Sequence, residues 1–285
     1  MKFSRKFRQG FWFAMSGVSI VIVLGMLGLV IGFIISKGAD VISWEFLTDV
    51  PHKAMTEGGI WPAILGTLLL SLGSIVFALP LGLFAAIYLV EYSRDGKLRR
   101  WIRVGVNSLS GVPSVVFGLF GLALFVNFLG FGACILAGSL TLGLMVLPTI
   151  IRATEEALKS IPMSFREASL ALGATRWNTT VRVVLPAAVS QILTGVILAV
   201  GRAAGETAPI MFTAAVFFTK RLPTGLFSKV MALPYHIYAL MTEGTHPVEQ
   251  TAMAYGTALV LLMLVLLVNG AAIFFRIRAR KGKKW

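Results

Sequence analysis

Six long apolar segments constrain this chain more than any other feature of its sequence. They run over Phe13–Ile35, Ile60–Val90, Val104–Leu129, Phe131–Ile151, Ala187–Gly201 (continuing past Arg202) and Thr251–Phe275. A helix needs ~20 residues to cross the hydrocarbon core of a bilayer, where only helices and closed barrels satisfy their backbone hydrogen bonds. Only 13% of the 285 residues are charged, against about 25% in soluble domains. The sequence therefore predicts an all-α integral membrane protein with six transmembrane helices.

The apolar segments divide the chain into three parts. Residues 1–59 form an N-terminal arm, the first transmembrane helix and an outer loop, residues 60–276 form a core of five helices, and residues 277–285 form a basic tail. The first segment is too long for the core of a cleaved signal peptide, so we interpret it as a spanning anchor. Within the core, a long loop over residues 152–186 connects the fourth and fifth helices, whereas Leu129–Gly132 is only a short hinge between the third and fourth.

Lysine and arginine lie mainly on one side of the predicted topology. The N-terminal arm, the loop after the second helix, the 152–186 loop and the C-terminal stretch from Arg276 onward hold 20 of the 26 basic residues. Since basic loops stay in the cytoplasm, both termini are predicted to be cytoplasmic. The net charge of +14 is therefore mainly a topology signal, and the tail is also expected to attract anionic membrane lipid. Because the tail lacks interleaved aromatic residues for base stacking, no nucleic acid is expected as a partner.

Residue patterns for covalent chemistry are missing from the sequence. His52, His236 and His246 lie in predicted outer loops without the spacing of a metal site, and we interpret them as solvated. Cys134 has no partner for a disulfide and is interpreted as a small apolar side chain. There is no G-x-x-x-x-G-K-[ST] phosphate loop and no G-x-S-x-G nucleophile elbow. We therefore expect no catalytic residue, no metal and no cofactor in this chain, which would not be an enzyme.

Helix signals and a glycine organise the 152–186 loop. A short helix is predicted over residues 165–172, with Gly173 as its left-handed C′ residue. Thr175 is placed to cap a further helix, and Pro186 is expected to begin the fifth transmembrane helix.

The same loop carries a spaced motif. Its residues are Glu167-Ala168-Ser169, then after three residues Gly173, then after nine residues Val183, and then after one residue Leu185-Pro186. This order resembles the E-A-A-x(3)-G-x(9)-I-x-L-P signature of the permease subunits of binding-protein-dependent ABC importers, with Ser169 in place of the second alanine and Val183 in place of isoleucine. Small residues at 168 and 169 let a partner surface approach closely, and Glu167 offers a charge to a basic partner residue. The resemblance implies a type I ABC importer permease fold, in which this loop docks into a groove of the ATPase subunit that binds ATP.

The stretch GRAAGETAPI, residues 201–210, places two charges inside an apolar run. Arg202 and Glu206 are the only charged residues between Val183 and Thr219. At spacing i, i+4 they share one helical face, but arginine before glutamate is the less favourable order, so helix stability does not explain the pair. A charge at the bilayer centre costs ~2.5–3.5 kcal/mol and usually faces a wet cavity on a substrate path.

Glycine and proline flank these charges. Gly201 and Gly205 form a G-x-x-x-G seam, which favours a close helix contact. Pro209 lies opposite the Gly205 carbonyl and predicts a kinked or broken helix with free carbonyls at a cavity wall. We hypothesise that Arg202 lines an anion pathway, because its planar guanidinium matches phosphate oxygens, and that Glu206 neutralises it between passages. The alternative is a structural salt bridge that holds helices together.

Three stretches extend the resemblance. GRAAGETAPI, GGIWPAILGT (58–67) and LSGVPSVVFGLFGLALF (109–125) resemble the phosphate-specific ABC permeases of the PstA type, and the resemblance covers most of the chain from Gly58 to Phe275. It implies half of a heterodimeric channel in the cytoplasmic (inner) membrane of a bacterium or archaeon. The implied partners are a sister permease, an ATP-binding cassette ATPase dimer and an extracytoplasmic phosphate-binding protein.

Three other functions are compatible with parts of the sequence. A permease for another oxyanion, such as sulfate, molybdate or phosphonate, would carry the same loop. A polytopic membrane enzyme acting on lipid phosphates would need an acid or histidine cluster at one membrane face, which the sequence does not display. An ATP-independent channel or secondary carrier would leave the motif of the 152–186 loop unexplained.

Overall fold

The computed structural model describes residues 5–219, 221–244 and 246–281, and its regular structure is almost entirely helical. Residues 1–4 of the predicted arm and 282–285 of the predicted basic tail lie outside this described part. The helices are α1 (Arg5–Gly38), α2 (Trp44–Thr48), α3 (Trp61–Ile87), α4 (Lys97–Gly111), α5 (Ser114–Gly121), α6 (Ile135–Lys159), α7 (Met163–Ala171), α8 (Arg176–Thr179), α9 (Leu185–Gly205), α10 (Ala208–Thr213), α11 (Leu233–Thr242) and α12 (Pro247–Lys281).

Shorter elements complete the chain. π-helical turns extend α3 over Tyr88–Tyr92 and α5 over Leu122–Phe128, and a third, Thr180–Val184, joins α8 to α9. In the first outer loop, strands β1 (Pro51–His52) and β2 (Glu57–Gly58) pair antiparallel, and single 3₁₀ turns cover Ala39–Val41 and Lys53–Met55.

Five helical stretches in the described residues are long and apolar enough to cross a membrane. They are Gln9–Val41, Trp61–Tyr92, Ile135–Lys159, Arg176–Gly205 and Pro247–Arg278. A bent pair, Lys97–Gly111 and Ser114–Phe128, makes a sixth if it is counted as one span. The predicted all-α membrane architecture is therefore confirmed, with the third span as the exception in shape.

The third predicted span, Val104–Leu129, is wrong as a single helix. The chain breaks at Val112, whose backbone is extended (φ −74°, ψ 130°), and the two halves meet at an angle of 106°. The cause is Pro113, because proline disfavours the helical conformation in the residue before it and supplies no N–H to the helical ladder. The axes of α4 and α5 are therefore nearly perpendicular to each other.

The fourth span is shifted along the chain relative to the prediction. It begins at Ile135 instead of Phe131, after a turn in which Gly130 and Gly132 have φ values of +68° and +70°. It continues to Lys159, so the irregular part of the 152–186 loop begins only after this residue. The first turns of that loop are therefore part of α6.

Pro186 lies in the first turn of α9, as predicted, but α9 is not a separate helix, because α8, the π turn and α9 are continuous from Arg176 to Gly205. The π turn Thr180–Val184 directly precedes the proline segment. A π turn bonds residue i to i+5 and widens the helix, which accommodates a ring that would clash with the carbonyl four residues earlier in a regular α-helix. The loop and the fifth span thus share one continuous helical rod.

The centre of the bundle is formed by α3, α6 and α9, with α12 packed on α9. Leu70 of α3, Leu142 and Val146 of α6 and Ala199 of α9 belong to one buried hydrophobic cluster. α1 stays at the periphery, where it contacts α12, and most of its apolar side chains are exposed. An apolar surface of this kind is what lipid requires of a spanning anchor.

Segments outside the candidate spans pack into an apolar cap. Phe46 of α2, Met55 of the hairpin and Leu240 of α11 share a second buried cluster. His236 of α11 is only 2% exposed, so its interpretation as a solvated loop histidine is wrong. Burial lowers the pKa of His236 from 6.5 to about 4, because charging the ring would remove a cation from water. His236 is therefore a neutral member of the cap.

Candidate functional site

The charged pair lies at a break between two helices. α9 ends at Gly205, Glu206 is extended (φ −79°, ψ 133°), and α10 begins two residues later with Pro209 in its first turn. The predicted break is therefore present, and proline stabilises the start of α10 because the first turn needs no N–H from it. The break also displaces Glu206 from the regular helical face that i, i+4 spacing predicts.

The two side chains still meet across this break. Nε of Arg202 lies 3.5 Å from Oε1 of Glu206, with side-chain exposures of 47% and 19%. About half of the Arg202 side chain is thus exposed, on a face of α9 that the rest of the described chain leaves uncovered, whereas the Glu206 side chain is largely buried. The contact joins α9 to its own cap, so within this chain it does not act as a bridge between separate helices.

The glycines and proline beside the pair differ in what they pack against. A Cβ at Gly201 would lie 3.2 Å from Nδ2 of Asn269 on α12, so this glycine permits close approach of α9 and α12. Gly205 has no described atom within 4 Å of its Cβ position, so only half of the predicted seam contacts another helix of this chain. Pro209 is buried, with its Cα 3.1 Å from the Cβ position of Gly118, so it packs on α5.

The loop motif forms a helical knob beyond the C-terminal end of α6. α7 covers Met163–Ala171, and Gly173 follows with φ +82°, the left-handed conformation expected of a C′ glycine. Thr175 accepts a hydrogen bond from the backbone N–H of Asn178 at 3.2 Å and caps α8, as predicted. The short helix, its glycine end and the following cap are therefore confirmed.

The knob presents small and apolar residues to its surroundings. Glu167 and Ala168 are exposed, and Leu172 is 89% exposed. A cavity of about 510 Å³ lies beside them, lined by Ser164, Phe165, Ala168, Ser169, Leu172 and Val183. An exposed apolar group next to an open groove is typical of a protein–protein contact.

Two motif positions have structural explanations. The hydroxyl of Ser169, which replaces an alanine of the motif, lies 2.9 Å from Oγ1 of Thr179 and joins α7 to α8. Leu185 packs on a buried cluster that includes Leu158 of α6, and Pro186 follows it inside the continuous helix. These contacts attach the knob to the continuous helix that ends at the charged pair. Within that helix, α9 has 21 residues and is roughly 30 Å long.

A buried ion pair that sequence reasoning missed fixes the knob to the bundle. Arg166 of α7 is 8% exposed, and its Nη2 lies 2.8 Å from Oε1 of Glu91 in the π turn after α3. The guanidinium also donates to the carbonyls of Leu158 and Ile161 at 2.9 and 2.8 Å. The sequence feature that could have indicated this pair is Glu91, an acid at the end of an apolar span directly before a strongly basic loop.

Known proteins share both the sequence and the fold. Residues 78–281 match the family described as "Binding-protein-dependent transport system inner membrane component". The chain is 34% identical over 280 residues to the "Probable ABC transporter permease protein YqgI" of Bacillus subtilis, covering 94% of this chain and 95% of that protein. It is 39% identical over 228 residues to the "Phosphate transport system permease protein PstA 1" of Mycobacterium tuberculosis, covering 80% of this chain and 72% of that protein.

A solved structure has the same fold at low sequence identity. A bacterial alginate ABC transporter, in complex with its alginate pentasaccharide-bound periplasmic protein, superposes with a TM-score of 0.63 at 18% identity, covering 94% of this chain and 96% of that one. The helical architecture, the loop motif and the match over residues 78–281 agree. The chain therefore belongs to the inner membrane components of binding-protein-dependent transport systems, the multi-pass permease subunits of ABC importers.

Proposed function

We propose that this chain is the transmembrane permease subunit of an ATP-driven importer of inorganic phosphate and forms half of the translocation pathway beside a sister permease. The observation that carries the proposal is the Arg202–Glu206 pair, in which the arginine side chain is 47% exposed at a helix break within an apolar run. The M. tuberculosis relative, which is named a phosphate transport system permease protein, supports phosphate as the substrate.

The geometry of the pair suits transient binding of an anion. A separation of 3.5 Å between Nε of Arg202 and Oε1 of Glu206 is long for a charge-assisted hydrogen bond, which is typically ~2.7–2.9 Å. Phosphate oxygens therefore compete with the Glu206 carboxylate for the guanidinium, and the carboxylate neutralises the arginine after the anion leaves. This exchange lets the site bind an anion without trapping it.

The other proposed partners are those implied by the family of binding-protein-dependent transport permeases. The knob of α7 and α8 is the contact for an ATP-binding cassette ATPase dimer, which binds the ATP, so this chain holds no cofactor and is not itself an enzyme. An extracytoplasmic phosphate-binding protein delivers the substrate to the opposite side. We infer a cytoplasmic position for both termini and the knob, because the basic regions lie on that side of the proposed topology.

The test is ATP-dependent uptake of radiolabelled phosphate by the assembled complex in proteoliposomes. Arg202→Gln is expected to abolish uptake while the ATPase still co-purifies. Arg276→Gln is the matched control, because Arg276 lies on α12 and donates to Thr194 of α9 at 2.9 Å without contacting the break. Control uptake should stay near wild type.

Two results would change the proposal. Wild-type uptake in Arg202→Gln would show that the pair is structural and not part of the pathway. Transport of sulfate, molybdate or phosphonate in place of phosphate by the wild-type complex would overturn the substrate and leave the permease function in place.

A further inference from the structure

α4 is an amphipathic helix that lies across the direction of the span it precedes. Its 15 residues, KLRRWIRVGVNSLSG, carry four basic residues in the first two turns. It meets α5 at 106°, whereas α5 and its π extension are almost wholly apolar. A helix nearly perpendicular to a span lies close to the plane of the membrane surface, where amphipathic helices with basic polar faces are stable.

One side of α4 is already occupied by the bundle. Ile102 and Val106 pack in a cluster with Leu89 of the α3 extension. Nη2 of Arg103 lies 2.9 Å from Oε1 of Glu155 on α6. These contacts fix how the helix is rotated, so the direction of its remaining side is set by the fold.

The remaining side is apolar and uncovered. Leu98, Trp101 and Val104 follow one another at intervals of three residues and are 60%, 72% and 50% exposed. Tryptophan beside aliphatic residues is typical of a helix at the boundary between headgroups and acyl chains. In the described chain, nothing covers this strip.

Basic side chains flank the strip. A cavity of about 660 Å³ is lined by Asp95, Gly96, Lys97, Arg99, Arg100, Arg103, Val104 and Asn107. Arg99 pairs with Asp95 and Arg103 with Glu155, but Lys97 and Arg100 have no acidic partner among the described residues. Nε of Arg99 is buried without a hydrogen-bond partner in the described chain. The cavity is therefore complementary to an anion.

We propose that this surface, formed by Leu98, Trp101, Val104, Lys97 and Arg100, is a docking site for an anionic phospholipid. Lys97 and Arg100, which have no acidic partner among the described residues, hold the headgroup phosphate, and the apolar strip contacts the acyl chains. The charge alone would suit free phosphate equally well, but the adjoining apolar strip favours a ligand that has both an anionic head and a hydrocarbon tail. Placement in the cytoplasmic leaflet rests on the orientation in the proposed function, whereas lipid binding itself does not.

The site is connected to the part of the bundle that supports the knob. α4 contacts Leu89 beside Glu91, the partner of Arg166, and its Asn107 accepts a hydrogen bond from Arg152 of α6 at 2.9 Å. A lipid held here therefore fixes the ends of α3 and α6 that support the knob.

The test measures lipid binding by the assembled complex in nanodiscs of phosphatidylcholine with or without phosphatidylglycerol. Native mass spectrometry reports retained phosphatidylglycerol, and brominated phosphatidylglycerol reports contact by quenching tryptophan fluorescence. Each basic residue near an anionic surface contributes about 1 kcal/mol, a factor of about five in affinity. K97Q/R100Q is therefore expected to weaken phosphatidylglycerol binding about 25-fold and to reduce the part of the quenching that W101F assigns to Trp101, since other exposed tryptophans such as Trp12 on α1 are also quenched by lipid.

The control removes two basic residues elsewhere. R221Q/K229Q neutralises the same number of charges in the segment between α10 and α11 and should leave phosphatidylglycerol binding unchanged. Equal binding by wild type and K97Q/R100Q would overturn the proposal. Binding of inorganic phosphate in pure phosphatidylcholine nanodiscs that K97Q/R100Q abolishes would assign the cavity to free phosphate instead. Because the readout is binding, a failure of phosphate transport leaves this result unaffected.

Discussion

Glu91→Gln is predicted to destabilise the end of the bundle that carries the knob by about 3 kcal/mol, because breaking a buried ion pair leaves an uncompensated charge at a cost of about 3–5 kcal/mol. The side chains of Arg166 and Glu91 are only 10% and 12% exposed, so water does not screen the remaining charge. Arg166 keeps two carbonyl acceptors, those of Leu158 and Ile161. These bonds place Glu91→Gln at the lower end of the range.

Arg166→Gln should cost more, about 5 kcal/mol, because it leaves the carboxylate and two carbonyls without a donor, and each unpaired buried group adds about 1–3 kcal/mol. The double variant Glu91→Leu/Arg166→Met should cost much less than the sum of the two single changes, since no charge then remains buried. The free energy of unfolding is measured by SDS titration of the chain in mixed micelles.

The matched control is Glu57→Gln, which breaks the ion pair with Lys53, whose side chains are 59% and 71% exposed. An exposed pair contributes about 0–1 kcal/mol, so this variant should unfold almost like wild type. If Glu91→Gln loses no more stability than Glu57→Gln, or if the double variant loses the full sum, the buried pair does not support the knob.

Two further predictions concern the cap. His236 has a pKa of about 4 in the fold against 6.5 in the unfolded chain, so only the unfolded state binds its proton between these values, and the free energy of unfolding should fall by roughly 3 kcal/mol as the pH drops from 7 to 4. Thermal unfolding at several pH values checks this, and His236→Gln should flatten the profile; equal slopes would contradict it. Gly66→Ala should destabilise the chain by about 1–3 kcal/mol, because the new methyl overlaps the carbonyl of Met231. Gly28→Ala, which adds a methyl in open space on α1, should be neutral or stabilising, and equal melting temperatures for the two variants would contradict the overlap.

Proline positions illustrate how far sequence reasoning reaches in this fold. Pro113 and Pro186 each follow a hydrophobic residue. The chain bends by 106° between α4 and α5 at Pro113, whereas the helix is continuous through Pro186. A π turn before Pro186 removes the clash. Proline marks where a helix is weakened, but the packing of neighbouring helices decides whether the chain turns there.

Only part of the candidate site could be predicted from the sequence, because local patterns do not show which distant residues pack together. Gly173 and the Thr175 cap are confirmed because their conformations depend only on neighbouring residues. The Arg166–Glu91 pair joins residues 75 positions apart, and no local pattern relates them. His236 is buried by a cap assembled from segments distant in sequence.

The sequence by itself determined the membrane class, the approximate positions of the spans and the motif of the 152–186 loop. These follow from lipid, which requires apolar, internally hydrogen-bonded helices of sufficient length, and from local residue spacing. Only the tertiary structure decided that Arg202 is half exposed on an uncovered face of α9, that α4 lies across its span, and that Arg166 anchors the knob. Each of these depends on which helices pack together, and that is settled by contacts between residues far apart in the chain.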